Sequence, residues 1–337
     1  MNRLMMGGIA AAAGLGAMLG QASAQEFNLR WAHYLPNGPF LQVEESFAKK
    51  IEERTGGKVK ITIAYAGALG GATEVFTLAG RGAVDMASAA PGYYPDQLLF
   101  WKASQIPFQF DTPNEAIETF KTLRSEFPVF DEEMDKLNVK YLLQQPLGSY
   151  YLVGPSANCD TLAGIKGKKI RAFGADIPKI IGAAGATPIT LTTTEMYEAL
   201  QRGTLDYANA DIGNVAALKL YEVGKNICGP VMTFSGHMVV IGKRTWDRLP
   251  TEYQTIITEE AAAAQQRYLD WIAENGRNAV KTIEGAGATI KPFNPDEFAK
   301  WKAATPDLLQ GWVDDVSRRG KGEEAKKVAE RWRELIK

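Results

Sequence analysis

Hydrophobic and polar positions along the chain repeat in two periods, and the switches between them mark the elements. Residues 27 to 33 alternate, which predicts a half-buried strand, and Leu35-Pro36-Asn37-Gly38-Pro39 reads as a turn. A helix follows, with Phe40, Val43, Phe47 and Ile51 at helical spacing and a stop at Thr55-Gly56-Gly57. Residues 58 to 65 alternate again. Strand, helix and strand in this order favour a parallel sheet. A helix over 72–82 then leads to an apolar strand over 83–90. The proline-broken segment Ile106-Pro107-Phe108-Gln109-Phe110 reads as packing, Asp111-Thr112-Pro113-Asn114 opens a helix with charged faces, and 139–144 is the next strand.

A second series begins near Tyr150. Residues 150–153 and 169–173 read as strands and 175–184 as a helix. Thr192 to Glu195 has the spacing of a capping box, opening a helix with Met196, Tyr197, Leu200 and Gln201 that ends at Gly203. A strand is expected over 204–209. Later, Met238-Val239-Val240-Ile241 reads as a buried or crossing strand, 250–284 as an unusually long helix, and 288–292 as a strand. Two helices, the last rich in Lys and Glu, close the chain. No low-complexity linker separates the halves, so structured crossings should join them.

At 337 residues the chain is long enough for two domains, each with its own core. Its first 24 residues read as an export signal: Arg3, an apolar run from Met5 to Leu19, and Ala22-Ser23-Ala24 as the cleavage pattern. Cleavage after Ala24 would release a mature chain beginning at Gln25 into a bacterial periplasm. A formal net charge of −1, with 23% charged residues, offers no attraction to nucleic acid or anionic lipid. The two cysteines, Cys159 and Cys228, either close a bridge in that oxidising compartment or stay as two buried thiols.

The catalytic inventory is thin. His33 and His237 are the only histidines, and neither has the spacing of a metal ligand set. There is no Gly-x-Ser-x-Gly elbow and no Gly-x-Gly-x-x-Gly turn, and Gly164-Ile165-Lys166-Gly167-Lys168 is too short for a phosphate loop and lacks the following Ser or Thr. Carboxylate pairs such as Glu44-Glu45, Glu52-Glu53 and Glu259-Glu260 fall in helical patterns and read as solvated faces. No cofactor, no metal and no enzymatic activity are expected. What remains is the stretch from Gly164 to Gly174, where glycine turns bracket a short strand carrying Arg171. A guanidinium buried there keeps its proton and needs a negative partner, either an internal carboxylate or that of a ligand.

Several stretches resemble one family over nearly the whole mature chain. They are Phe47-Ala48 with Glu53-Arg54-Thr55-Gly56-Gly57, Ala68-Leu69-Gly70-Gly71, Gly82-Ala83-Val84-Asp85-Met86, and Ile106-Pro107-Phe108. Most specific are 164–171, similar to Asp-Leu-Lys-Gly-Leu-Lys-Ile-Arg, and 195–206, similar to Glu-x-Tyr-x-Ala-Leu-Gln-x-Gly-x-x-Asp. The family is the solute-binding proteins of tripartite ATP-independent periplasmic (TRAP) transporters, of the dicarboxylate type. The resemblance implies an α/β fold of the type II periplasmic-binding kind: two domains, a central cleft, crossing strands and a long domain-spanning helix. Domain I would comprise 25–147 plus 236–275, and domain II 148–235 plus 276–337.

The resemblance further implies that the protein is a receptor that captures a small organic acid and delivers it to the TRAP membrane permease subunits, with Arg171 clamping the carboxylate. No oligomeric state follows from it. The departures matter as well. Tyr150 stands where many members carry a second arginine, Ala89 where some are acidic, and Asn209 at the Glu position of the family's Asp-Gly-Gln-Glu-Asn-Pro. A second ligand carboxylate would lack a partner, at a desolvation cost of several kcal/mol. The expected ligand is therefore a monocarboxylate with an apolar or aromatic body, such as a 2-hydroxy or 2-oxo acid. Tyr150, Phe173 and Tyr207 would supply aromatic surface, Asn209 a polar contact, and His33 and His237 would border the cleft from strand ends. The alternatives are a C4-dicarboxylate or sugar-acid receptor, a secreted organic-acid enzyme, or a sensor.

Overall fold

The computed structural model describes residues 26–232 and 235–336. The expected export signal over 1–24 lies outside them. Eleven strands run through these residues: β1 (Phe27–His33), β2 (Val59–Ala64), β3 (Met86–Ala89), β4 (Val139–Pro146), β5 (Tyr150–Gly154), β6 (Lys169–Ala172), β7 (Thr187–Thr190), β8 (Ala208–Asp211), β9 (Asn226–Met232), β10 (Ser235–Gly242) and β11 (Thr289–Lys291).

They form two layers of sheet, each flanked by helices. The first has the order β2-β1-β3-β10-β4, with β1 parallel to β2 and β3, and β10 antiparallel to β3 and β4. The strand–helix–strand opening forms as its pattern predicts. Phe47, Ile51 and Val43 on the helix Gln42–Arg54 pack with Leu29, Trp31 and Ile61 of β1 and β2. The second sheet has the order β11-β9-β5-β8, and the parallel pair β6-β7 continues it through a bridge between Ile170 and Tyr207 and the bond from Arg171 N to Tyr207 O at 3.0 Å.

The chain crosses between the sheets at 147–149, after β4, and again between β9 and β10. The helix Thr251–Gly285 runs beside both sheets: Ile257, Ala261, Ala264 and Tyr268 pack in the core of the first, Ala279 and Ile283 in that of the second. Cys159 and Cys228 form a disulfide with a Cα–Cα distance of 5.6 Å, tying the segment after β5 to β9.

Three features depart from the periodic reading. β8 begins at Ala208, not 204, because Thr204 and Leu205 turn their N–H groups back to Ala199 O and close the preceding helix. The chain ends in three helices, Pro295–Ala304, Leu308–Arg318 and Gly322–Leu335, where the pattern suggests two. Of these, the first packs on the second unit through Trp301, which donates to Ile180 O at 2.7 Å. The last two return to the first unit: Trp312 donates to Leu99 O at 2.7 Å and Trp332 meets Phe110 and Phe120. Finally, Glu44 is buried rather than on a solvated face.

Candidate functional site

The parallel pairing of β6 with β7, and its bridge to β8, leave Arg171 in the middle of three backbones. Its side chain is 1% exposed. Nε donates to Leu191 O at 3.0 Å and Nη1 to Asn209 O at 3.1 Å, while Nη2 reaches Tyr93 Oη and Thr193 Oγ1, each at 3.3 Å. Tyr150 is a further hydrogen-bond partner, and the guanidinium lies 4.2 Å over the ring of Phe173. All of these partners are neutral. Among the described residues no carboxylate comes within 4.0 Å of the guanidinium, and Arg171 is the only buried arginine. The internal ion pair that the buried strand position allowed is absent. Neutral oxygens satisfy the N–H groups, but the charge itself stays unmatched, which in a water-poor site is costly unless an anion arrives.

Aromatic rings wall this cation. Tyr93 and Tyr150 both approach Phe173, with centroids 6.2 and 6.3 Å away. Tyr93 belongs to the first unit and crosses to the second, where its hydroxyl exchanges a hydrogen bond with Thr193 Oγ1 at 3.1 Å and accepts from Thr193 N at 3.2 Å. Tyr34 stands edge-on to Tyr93 at 5.9 Å. Burial pushes the hydroxyls of Tyr34 and Tyr150 well above the ordinary phenol range, so both remain O–H donors. A cleft of about 350 Å³ opens beside these residues, lined by Gly92, Tyr93, Phe173, Gly174 and Thr192 among others. Gly174 has φ +63°, a left-handed conformation that favours glycine, and lies in ordinary contact range of Gly92, a Cβ there coming 3.8 Å from Gly92 Cα, so the two units approach at this rim.

The pairing of β5 with β8 places Tyr150 directly opposite Asp211 and Leu152 opposite Asn209, so Tyr150, Asn209 and Asp211 share one face of the sheet. Asn209 is fully buried. Its Nδ2 reaches Met232 Sδ at 3.5 Å, and its Oδ1 has no partner. Asp211 caps the helix Ile212–Ala217: Oδ1 accepts from Gly213 N at 3.1 Å and Asn214 N at 3.2 Å, and Oδ2 accepts from Asn214 Nδ2. Burial raises its pKa to about 6 against those bonds, and its charge in turn raises the pKa of Tyr34 and Tyr150.

Of the residues singled out in sequence, Arg171, Tyr150, Phe173 and Asn209 come together here. Tyr207 shares the strand face with Asn209 but lies deeper, its ring against Gly154, where a Cβ would come 2.4 Å from Tyr207 Cδ1. His33 and His237 form a second, adjoining cluster with Glu44. His33 Nε2 lies 3.0 Å from Glu44 Oε2, His237 Nε2 bonds Glu44 Oε1, and Tyr268 Oη donates to Oε1 at 2.8 Å. Tyr34 separates this cluster from Arg171, stacking on His33 at 5.7 Å and meeting His237 edge-on at 5.9 Å. Two imidazoles and a carboxylate could suggest a metal centre. The tautomer argues otherwise: Leu35 N donates to His33 Nδ1 at 3.1 Å, so Nε2 carries the ring proton and has no lone pair to offer.

Sequence reasoning missed Tyr34, Tyr93, Thr193, Glu44 and Asp211. Thr193 lies inside the observed capping box, in which Glu195 Oε2 accepts from Thr192 N at 2.7 Å, so its neighbours were readable but its reach toward Arg171 was not. Glu44 sits among Val43, Phe47 and Ile51, which was the one available signal that it faces inward.

Two sheets meeting across an unmatched buried cation are the build of a receptor for an anion. Residues 33–314 match the model of bacterial extracellular solute-binding protein, family 7, and the chain belongs to that family, the solute receptors of TRAP transporters. These are periplasmic proteins that bind small organic acids and work with membrane permease components; they are receptors, not enzymes. The 2,3-diketo-L-gulonate-binding periplasmic protein YiaO of Escherichia coli (strain K12) is 26% identical over 291 residues, covering 81% of this chain and 86% of that protein. Among solved structures, DctP7 of Bordetella pertussis, an extracytoplasmic solute receptor binding pyroglutamic acid, aligns with a TM-score of 0.82 at 19% identity, covering 91% of this chain and 99% of that one. A marine metagenome TRAP solute-binding protein from an unidentified microbe, specific for aromatic acid ligands, aligns with a TM-score of 0.82 at 20% identity, covering 92% and 98%. At these identities the structural likeness shows the fold. No helix of the described residues is long and apolar enough to cross a membrane.

Proposed function

We propose that this protein is the periplasmic receptor for a monocarboxylate with an apolar or aromatic body, which it holds between its two units and delivers to a TRAP permease. One observation carries the reading: Arg171 is buried, surrounded by neutral oxygens, and unmatched by any carboxylate of the described residues. Its planar fork suits a carboxylate, and each charge-assisted bond contributes about 1.5–3 kcal/mol. Among the described residues there is no second buried arginine, the buried Lys102 is already paired with Asp315 at 2.8 Å, and Ala89 is fully buried on β3, so a second ligand carboxylate would find no unpaired cation. That favours a monocarboxylate over a C4-dicarboxylate or sugar diacid. Tyr34, Tyr93, Tyr150 and Phe173 support the apolar or aromatic body. The aromatic-acid and pyroglutamate receptors of like fold are in keeping with it.

The test is a screen of organic acids by thermal shift and calorimetry on the mature protein, Arg171→Ala and Arg171→Lys. The wild type is expected to select monocarboxylates. Loss of two charge-assisted bonds, about 3 kcal/mol or more, should weaken Arg171→Ala at least about 100-fold, with Arg171→Lys intermediate. Tight binding by Arg171→Ala would remove the carboxylate clamp.

A further inference from the structure

We infer that the ligand carries a hydrogen-bond donor, an ammonium or a hydroxyl, beside its carboxylate, and that Asp211 and Asn209 receive it. This rests on the carboxylate reading of Arg171 and narrows the acid to a 2-amino or 2-hydroxy type in preference to the 2-oxo type.

The argument is one of matching buried groups. Arg171 Nη1 donates to the backbone oxygen of Asn209, which places the guanidinium against the strand that carries Asn209 and Asp211. Along that strand face two acceptors stand beside the Asn209 Nδ2 and Tyr150 hydroxyl donors. Asn209 Oδ1 is buried and unpartnered, and Asp211 is a carboxylate 3% exposed, opposite Tyr150 in the register. Arg171 and Asp211 are opposite in sign, yet the bonds of Arg171 go to Leu191, Asn209, Tyr93, Thr193 and Tyr150 and those of Asp211 to Gly213 and Asn214, so they do not pair with each other directly. A ligand with a carboxylate and a neighbouring donor satisfies both ends at once. A 2-oxo acid would bring a carbonyl oxygen toward Asn209 Oδ1 and the Asp211 carboxylate, neither of which has a proton to give it, and would leave Asn209 Oδ1 unsatisfied. A site built to accept from a donor strongly rejects the analogue lacking it.

Asp211 also has a structural duty as the cap of Ile212–Ala217, satisfied by Gly213 N and Asn214 N. Asparagine and serine serve that duty nearly as well as aspartate, so the two roles are separable by mutation.

The experiment compares matched acids that differ only at C2: phenylalanine, 3-phenyllactate and phenylpyruvate, together with alanine, lactate and pyruvate, extended to any other body the acid screen selects. Dissociation constants are measured by calorimetry for wild type, Asp211→Asn and Asp211→Ser, with thermal melting as the control for folding. In wild type the donor-bearing acid of a matched set should bind at least about tenfold tighter than its 2-oxo partner. Asp211→Asn, which keeps an acceptor but loses the charge, should weaken ammonium ligands more than hydroxyl ligands. Asp211→Ser should collapse the preference for either donor. A 2-oxo acid bound as tightly as its partners, or a preference that survives Asp211→Ser, overturns the inference. Should Asp211→Ser fail to fold, an unchanged ranking in Asp211→Asn for an ammonium ligand overturns it, as does a wild type that favours no donor. Failure of the clamp looks different: Arg171→Ala would then keep its affinity for every acid regardless of C2.

Discussion

Glu44 shows how much a single buried carboxylate can decide. Burial alone would raise its pKa, but the charges and hydrogen bonds of His237 and His33 outweigh burial and hold it well below the usual carboxylate range. For His33 burial wins over the pull of Glu44 and lowers its pKa. Both shifts act on stability with the same sign. Between about pH 6.5 and the lowered His33 value the unfolded chain takes up a proton that the folded one refuses, and the same holds for Glu44 below about pH 4.3. This cluster therefore contributes stability that is complete above about pH 6.5 and is lost progressively as pH falls. Glu44→Gln should cost about 3 kcal/mol at pH 8, since it strips a buried hydrogen-bonded cluster of its charge. The gap between wild type and variant should narrow as pH falls below about 5. Urea denaturation of both proteins at pH 8, 6, 5 and 4 measures it, and parallel curves would remove Glu44 from the pH response. Glu133 and Asp211, whose pKa values burial raises to about 7 and about 6, act in the opposite direction, but their effects cancel in the difference between the two proteins.

Among the elements, the segment enclosed by the disulfide carries most of the candidate site. Cys159 and Cys228 are 69 residues apart, and β6, β7 and β8 lie between them. Closing a loop of that length contributes about 4 kcal/mol in the chain-entropy model. A Cys159→Ala/Cys228→Ala variant should lose about that much stability in chemical denaturation. Both residues are fully buried, so reductant should open the bridge in native protein far more slowly than in urea. A variant as stable as wild type would mean that the bridge constrains little of the unfolded chain. The elements themselves were largely legible. Thr112 caps the helix Pro113–Glu126 through Glu115 N at 3.1 Å, and the 250–284 pattern forms one helix, Thr251–Gly285, because caps and periodicity act over a single turn. The closing helices were less so. The polar–apolar period runs on across Thr305 and Pro306, and the break is marked instead by Pro306, which lacks an N–H, and by Asp307, whose Oδ1 accepts from Gln310 N at 2.9 Å to cap the next helix.

At the scale of the whole molecule, the units touch through aromatic as well as polar contacts: Tyr93 meets Phe173 and bonds Thr193 and Arg171, and Phe108 meets Phe298 and Trp301. A ligand held from both sides favours whichever arrangement keeps both sides in place, by as much as its differential affinity allows. Saturation with the selected acid should therefore reduce the radius of gyration in solution scattering. Unchanged dimensions on saturation would count against hinge closure. The resemblance assigns 276–337 to the second domain, whereas Trp312 and Trp332 tie the last two helices to the first unit, with which they should move on closure.

The sequence by itself determined the strand and helix periods, the capping box at Thr192, the family, and the burial of Arg171 on a short strand, because each depends on neighbours within a turn or two, or on motifs read directly. Tertiary structure alone decided what Arg171 lacks, that Cys159 and Cys228 meet, that Glu44 faces two histidines, and that Asp211 stands opposite Tyr150. Those outcomes depend on residues dozens of positions apart, brought together by strand register and by the crossings between sheets. Periodicity reports which side of an element is buried, and only the packed chain says against what.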